Sequence, residues 1–389
     1  MDGSDVVIVG RGPAGLLMAT LVAESGGRVT IVADGQGSLP LWGGQFDFRN
    51  YEPDGKPIAD PFFWWTRQSG DHPGAATSSR EWIRWWSYLR QLWQRIGIPT
   101  TRHFPRKNAL LLTPLGRTKP TFLAPQWHFT QETAGSVTLV SVPGLMDFQA
   151  KAAAIQYQRA TGKSADVVEI STPPSWHVRW QALQWAWFLD TMEGRNWILG
   201  EVGRLGVNSD RPLIFPQMLG IEQAESLMQS IAEVSQRVVG EIPLLPPAIG
   251  GIRVQRRWER WLKRQRVRFI SGRVLDFSRR YVLELTNGRR IPAGRLVLAT
   301  GGVLGGGVRV YPDGRLEDSV MGIEVGRAEK LADLGAAGLR QSERVPIAVG
   351  REVGGCDPDR HGDGGAMILL TVHQAYKILR GADARAEER

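Results

Sequence analysis

The chain has 389 residues, 42% of them hydrophobic, and carries 48 Lys and Arg against 39 Asp and Glu, a net charge of +9. That length calls for two α/β domains rather than one core, and no apolar run approaches the ~20 residues that span a bilayer. A single cysteine, Cys356, excludes an intramolecular disulfide, a self-contained iron–sulfur cluster and a cysteine-type zinc site.

The first residues read straight into a strand with no signal-peptide pattern, so a cytoplasmic location is expected. The basic balance favours anionic partners such as nucleic acid, acidic lipid or an acidic subunit, although no nucleic-acid recognition motif is present. Val6–Val9 predicts a buried parallel strand, Gly10–Gly15 a turn, Leu16–Ser25 a helix and Val29–Val32 the next strand. Within the turn, Gly10, Gly12 and Gly15 have the dinucleotide spacing, in the strand-to-helix context that the fingerprint requires. The first glycine permits the turn, the second lets a pyrophosphate approach, and the third packs helix on strand. Pro13 and Ala14 open the helix, whose free N–H groups face the phosphates. The acidic residue expected at the end of the second strand is replaced by Ala33. Asp34 follows, and it reaches a ribose through a one-residue bulge or simply caps a turn.

From Ala33 to about Ala76 the chain is irregular, and Gly43 and Gly44 in this stretch are further cofactor-binding candidates. Ser78 and Glu81 form a capping box. The helix behind it carries Trp82, Trp85, Trp86, Leu89 and Trp93 at the spacing of a buried face, or of a docking face for a partner or membrane. Strands are predicted at Val137–Val142, Ala165–Ile170, Leu213–Phe215 and Val238–Ile242. Helices are predicted at Asp147–Thr161, Trp180–Val202, Glu222–Val234 and Ile252–Gln265. This alternation predicts a second parallel sheet. Arg253–Arg268 holds eight Lys and Arg beside an apolar side, either a solvated outer face or a contact for anionic lipid or an acidic subunit.

The last third predicts a β-meander: Val267–Phe277, a hairpin at Asn287-Gly288, and Arg295–Ala299 leading into Thr300, Gly301 and Gly302. A return of this kind, with small residues at a strand end, separates flavin folds from plain NAD folds. A strand at Val345–Val349 then meets Gly350, and Gly364 and Gly365 open a final helix to about Leu379. Its N-terminus suits negative charge developing on a reduced isoalloxazine. Catalytic side chains are sparse. His361 and Arg351 are the candidates in the Gly-rich segment, while His72, His103, His128, His177 and His373 are scattered without metal-ligand spacing.

In collinear order, Leu112–Gly116, Val142-Pro143-Gly144-Leu145-Met146-Asp147-Phe148-Gln149-Ala150, Leu245–Arg253 and Val353–Pro358 resemble the B-subunit family of anaerobic glycerol-3-phosphate dehydrogenases. The resemblance implies a part in oxidising sn-glycerol 3-phosphate to dihydroxyacetone phosphate, with electrons passed toward quinone. It also implies two partners, a catalytic flavoprotein subunit and a membrane-associated iron–sulfur subunit, and a flavin often given as FMN. The fingerprint itself favours FAD. Departures are Gly44-Gln45-Phe46-Asp47, where the family has a Ser-rich turn, and Arg351, where a small residue is common.

The expected architecture is an α/β, two-dinucleotide-binding-domain-like flavoprotein, a Rossmann-type parallel sheet with a β-meander. Its flavin-binding domain is discontinuous, 1–110 with 266–389, and 111–265 is an inserted α/β domain. The expected role is electron relay, peripheral to the membrane through partners, with no metal on this chain. A flavin-free scaffold and a stand-alone dehydrogenase of another hydroxy compound are the competing readings.

Overall fold

A computed structural model describes residues 4–67, 74, 77–100, 107–130, 135–205, 210–277, 282–329, 334, 338–339, 346–354 and 356–387. Contacts divide the chain into one unit of Met1–Leu39, Phe46–Ile96 and Arg256–Arg389, and another of Pro40–Gln45 and Gly97–Gln255.

The first unit is built on a seven-stranded sheet. Strand Ser4–Val9 lacks polar alternation because both its faces are covered, and Val7 and Ile8 have no exposed surface. It pairs in parallel with Val29–Ala33 on one side and with the end of Arg290–Leu298 on the other, Val9 lying opposite Leu298. Arg268–Ser271 extends the sheet in parallel beyond Val29–Ala33, and Ile347–Ala348 pairs in parallel beside Leu298. Strand Arg290–Leu298 serves two roles. Its first half is antiparallel to Val282–Leu285, itself antiparallel to Val274–Phe277, which completes the meander. The predicted strand Val267–Phe277 is therefore two strands, because Gly272 redirects the chain between them. Of the predicted Val345–Val349 strand, only Ile347–Ala348 is extended pairing strand; Pro346 and Val349 flank it, and Val345 lies outside the described residues.

The first helix runs Pro13–Glu24, earlier than predicted, because Pro13 takes its opening position, where a missing N–H costs nothing. Helix Ser79–Arg95 has the capping box: the Ser78 hydroxyl accepts from the Glu81 N–H, and the Glu81 carboxylate accepts from the Ser78 N–H. Ser78→Ala is expected to cost about 1 kcal/mol, read as a lower urea midpoint at unchanged m-value. The tryptophan stripe is core. Trp82, Trp85, Trp86 and Trp93 are buried. Phe48 packs on Trp65, Trp82 and Trp86 with ring centroids 4.9–5.9 Å apart. Within this unit the end of helix Ile249–Arg264 buries Trp258 and Leu262, and the Trp258 indole N–H donates to the Thr20 hydroxyl at 2.9 Å. A three-stranded antiparallel sheet, Val308–Val310, Arg315–Asp318 and Glu324–Arg327, was not predicted.

The second unit holds a four-stranded parallel sheet in the order Ala165–Glu169, Val137–Ser141, Leu213–Pro216, Val239–Ile242. An unpredicted hairpin, Ala109–Leu112 with Thr118–Thr121, stands apart from it. The predicted helix Trp180–Val202 is two helices, Ala182–Leu189 and Met192–Arg204. Asp190 breaks it by accepting from the N–H groups of Ile221, Glu222 and Gln223, and Thr191 then caps the second helix. Glu241 on the last strand is fully buried. Its carboxylate pairs with buried Arg253 and accepts from the N–H groups of Met218 and Leu219 at 3.0 and 2.8 Å.

Candidate cofactor-binding site

The carboxyl ends of three neighbouring parallel strands in the first unit each pass into a glycine turn, and the turns touch. Gly10 has φ +110°, and its N–H donates to the Val32 carbonyl at 2.8 Å. A Cβ at Gly10 would collide with the Ala299 carbonyl, and one at Gly15 with the Gly10 carbonyl. These two glycines are required by packing. Gly12 is different. It caps the first helix in ordinary extended backbone (φ −69°, ψ 178°), and the nearest atom to a Cβ there is the Ser38 hydroxyl at 3.4 Å. Backbone strain does not demand glycine at this position, and a Cβ there would meet only ordinary contacts. The helix start has no side-chain cap and no acidic residue in its first turn, so its N–H groups at Ala14 and Gly15 suit an anion.

The second turn is Thr300-Gly301-Gly302, with φ +92° at Gly301 and +63° at Gly302. The third follows Ile347–Ala348. Gly350 has φ +69°, and its Cβ position lies 2.7 Å from the Ala14 Cβ, so glycine lets this turn close on the first helix. Its N–H donates to the Thr371 hydroxyl at 2.8 Å. Gly10, Gly12, Pro13, Ala14, Gly15, Thr300, Gly301 and Gly350 therefore form one cluster at the strand ends, the crevice in which open α/β sheets bind ligands.

The other predicted residues divide. Asp34 gives one carboxylate oxygen to Arg273 Nε at 2.8 Å, an exposed pair. Gly364 and Gly365 open helix Gly364–Glu387, where the Ala366 N–H donates to the Asp47 carbonyl. Gly43 and Gly44 lie in the second unit and are packed there: a Cβ at Gly43 would meet Pro243, and one at Gly44 the backbone of Gly250. Arg351 is engaged by Asp359 through two contacts of 3.0 and 2.6 Å. His361 is held by its carbonyl, which accepts from the N–H groups of Asn50 and Tyr51. Burial and then Arg49 push its imidazole below the usual range. His373 stacks on Trp85, and burial takes it down to about 3; His128, buried against the Gly43 carbonyl, is also down to about 3. His177 is exposed, and His72 and His103 lie outside the described residues.

Four buried charged groups of this unit were not singled out from the sequence. Arg49 and Asp363 form a buried ion pair at 2.5 Å, and burial lifts the Asp363 carboxyl to about 6 against the pull of Arg49. Glu352 and Asp318 are buried carboxyls, the first meeting the Thr300 hydroxyl. Glu352 stands two residues past Gly350, which is a legible position. Asp318 comes from the unpredicted sheet and had no signal.

A family profile described as an FAD binding domain matches residues 5–293, more than half of the chain. The chain belongs to this family of flavin-binding proteins. It is 28% identical to the B subunit of anaerobic glycerol-3-phosphate dehydrogenase from Pectobacterium atrosepticum, over 97% of this chain and 98% of that protein. The protein of the same name from Yersinia pestis is 25% identical over 96% of this chain and 98% of its own. Among solved structures, 3-ketosteroid delta1-dehydrogenase from Sterolibacterium denitrificans overlaps 78% of this chain and 48% of its own, at 13% identity and a TM-score of 0.32. The residues present fit the family's cofactor: an uncapped helix start, a Gly12 open to close approach, and two further turns closing on it. Among the described residues, no group of three or more His, Cys, Asp or Glu is placed to hold a metal ion. No helix among them is long and apolar enough to cross a membrane.

Proposed function

We propose that this chain is a flavin-dependent oxidoreductase subunit of an assembly like anaerobic glycerol-3-phosphate dehydrogenase. It holds FAD and relays electrons between a catalytic flavoprotein subunit and an iron–sulfur subunit at the membrane, itself peripheral and on the cytoplasmic side. The observation that carries this reading is the meeting of three glycine turns at the ends of adjacent parallel strands, beside an uncapped helix start. FAD is preferred to FMN because the Gly10–Gly15 turn is built for a pyrophosphate. In this reading the flavin-binding domain is 1–110 with 266–389, and 111–265 is the inserted domain.

A bound flavin supplies two-electron acceptance and one-electron release. The chain's own residues do the rest. N–H groups of Ala14 and Gly15 hold phosphate oxygens, and Thr300, Gly301 and Gly350 line the cofactor's path. Asp34 offers a carboxylate oxygen to a ribose while Arg273 holds the other. Gly364 and Gly365 present a helix N-terminus to negative charge. Relay is favoured over substrate oxidation here because Arg351, the candidate for holding a substrate phosphate, is tied to Asp359.

The test is an absorption spectrum of the chain purified alone, with heat-released flavin identified by chromatography. About one FAD per chain is expected. FMN would keep the oxidoreductase role and move the nucleotide contacts. A colourless protein that takes up no added flavin would overturn the reading and leave a scaffold.

A further inference from the structure

Two carboxyl groups face each other in the interior of the first unit. Asp318 ends strand Arg315–Asp318, Glu352 ends the helical turn Gly350–Glu352, and neither side chain has exposed surface. Half of each carboxyl is accounted for. Asp318 Oδ1 accepts from the N–H groups of Val320 and Met321 at 3.1 and 2.5 Å. Glu352 Oε2 meets the Thr300 hydroxyl. The remaining oxygens, Asp318 Oδ2 and Glu352 Oε1, are buried without a hydrogen-bond partner, although the two side chains lie within hydrogen-bonding reach of each other.

Two orphaned oxygens on facing carboxyls are satisfied together by one proton placed between them. Two ionised carboxylates in contact in an apolar interior have no comparable solution. Burial pushes the Glu352 acid well above the usual carboxylate range, with Asp318 adding to the shift and the N–H groups of Gly302 and Gly301 opposing it. Among the described residues, the neighbouring charges are engaged elsewhere. Glu317 binds Tyr311, Arg315 and Arg309, and Arg351 binds Asp359. The other described groups packed here, Gly307, Leu339, Val320 and Val353, carry no charge.

We propose that Asp318 and Glu352 hold one proton between them, and that this acid pair is a positioning element locking the Thr300–Gly302 turn to the Gly350 turn. The cofactor site then keeps its shape only while the proton is in place. The link to cofactor binding rests on the flavin reading above; the acid pair itself does not. Packing explains how the lock acts. Glu352 bonds Thr300 on one turn while its own backbone continues from Gly350 on the other, and the Gly302 Cβ position is 3.2 Å from the Arg351 carbonyl. Gly307 closes the space around both, since a Cβ there would strike Glu352 and lie 2.6 Å from the Thr300 hydroxyl.

A group whose acid form is favoured by folding contributes stability that is present at low pH and lost as pH rises through its folded-state pKa. The full chain should be melted across roughly pH 5.5 to 9.5, and the Kd for added FAD measured by fluorescence quenching over the same range. In the natural chain the melting midpoint is expected to fall toward alkaline pH, and the Kd to rise about ten-fold. Glu352→Gln, which donates the same hydrogen bond without titrating, should flatten both profiles; Asp318→Asn should weaken both. A natural chain with flat profiles overturns the proposal without any variant. So does Glu352→Gln retaining the natural slope, because another group would then be titrating. If FAD fails to bind at every pH, the flavin reading falls, and the melting profiles still decide the acid pair.

Discussion

Gly12→Asp is expected to empty the cofactor site while leaving the fold as stable as before or more so. The extended backbone at Gly12 accepts any residue, and 3.4 Å to the Ser38 hydroxyl leaves room for a Cβ. Aspartate is a favoured helix cap and would bond the N–H groups that Gly12 leaves uncapped, a gain of about a few tenths of a kcal/mol. In the proposed reading the same carboxylate stands where a pyrophosphate approaches and repels it. A loss of flavin affinity of at least about a hundred-fold, near 2.7 kcal/mol, is expected. The check is a flavin titration beside a thermal melt of the same preparation. Unchanged affinity would remove the pyrophosphate from this turn. Gly10→Ala and Gly15→Ala are expected to behave in the opposite way, since both strike backbone carbonyls and would lower stability together with binding.

The second large effect belongs to the other unit. Arg253 and Glu241 are both without exposed surface, and the guanidinium also donates through Nε to the Gly220 carbonyl at 2.8 Å. Removing one member of a buried pair strands the other charge and costs about 3–5 kcal/mol. Arg253→Met is therefore expected to lower the melting midpoint of this unit by about 10 °C. Glu241→Gln should fall short of that, because the amide oxygen still accepts from Met218 and Leu219. The double variant should recover part of the loss, since neither charge is then left alone. Calorimetry of the three variants reads the series; a double variant no better than Arg253→Met would mean that the charge pair is not the source of the cost.

The sequence made some of this legible and hid the rest for identifiable reasons. The strand–turn–helix at Gly10–Gly15 could be read because Gly10 and Gly15 are set by local backbone contacts and by the helix that the turn opens. The tryptophan stripe was readable as periodicity, but only the packing of Phe48 and Trp65 against it decides that it is core. The break in Trp180–Val202 is hidden because the sequence pattern is continuous across Asp190, whose carboxylate binds backbone N–H groups at Ile221–Gln223. The strands around Asp318 are three and four residues long, too short to carry a period. Gly43 and Gly44, expected from the sequence to contact a cofactor, are also the small residues that Pro243 and Gly250 require within their own unit. Arg49 with Asp363, and Asp318 with Glu352, are pairs made by tertiary folding alone.

The pairing of Val9 with Leu298 also has a consequence for synthesis. The N-terminal strand leaves the ribosome tens of seconds before its partner, at ordinary translation rates. Until then its apolar faces and unpaired edge have no complete sheet to join, while the whole Gly97–Gln255 unit emerges and is free to fold first. Such long-range pairing is slow and leaves the early strand open to wrong partners. A nascent chain stalled before Arg290 would carry the Gly10–Gly15 turn without the strand that completes its surroundings, so this cluster of turns is assembled only near the end of synthesis.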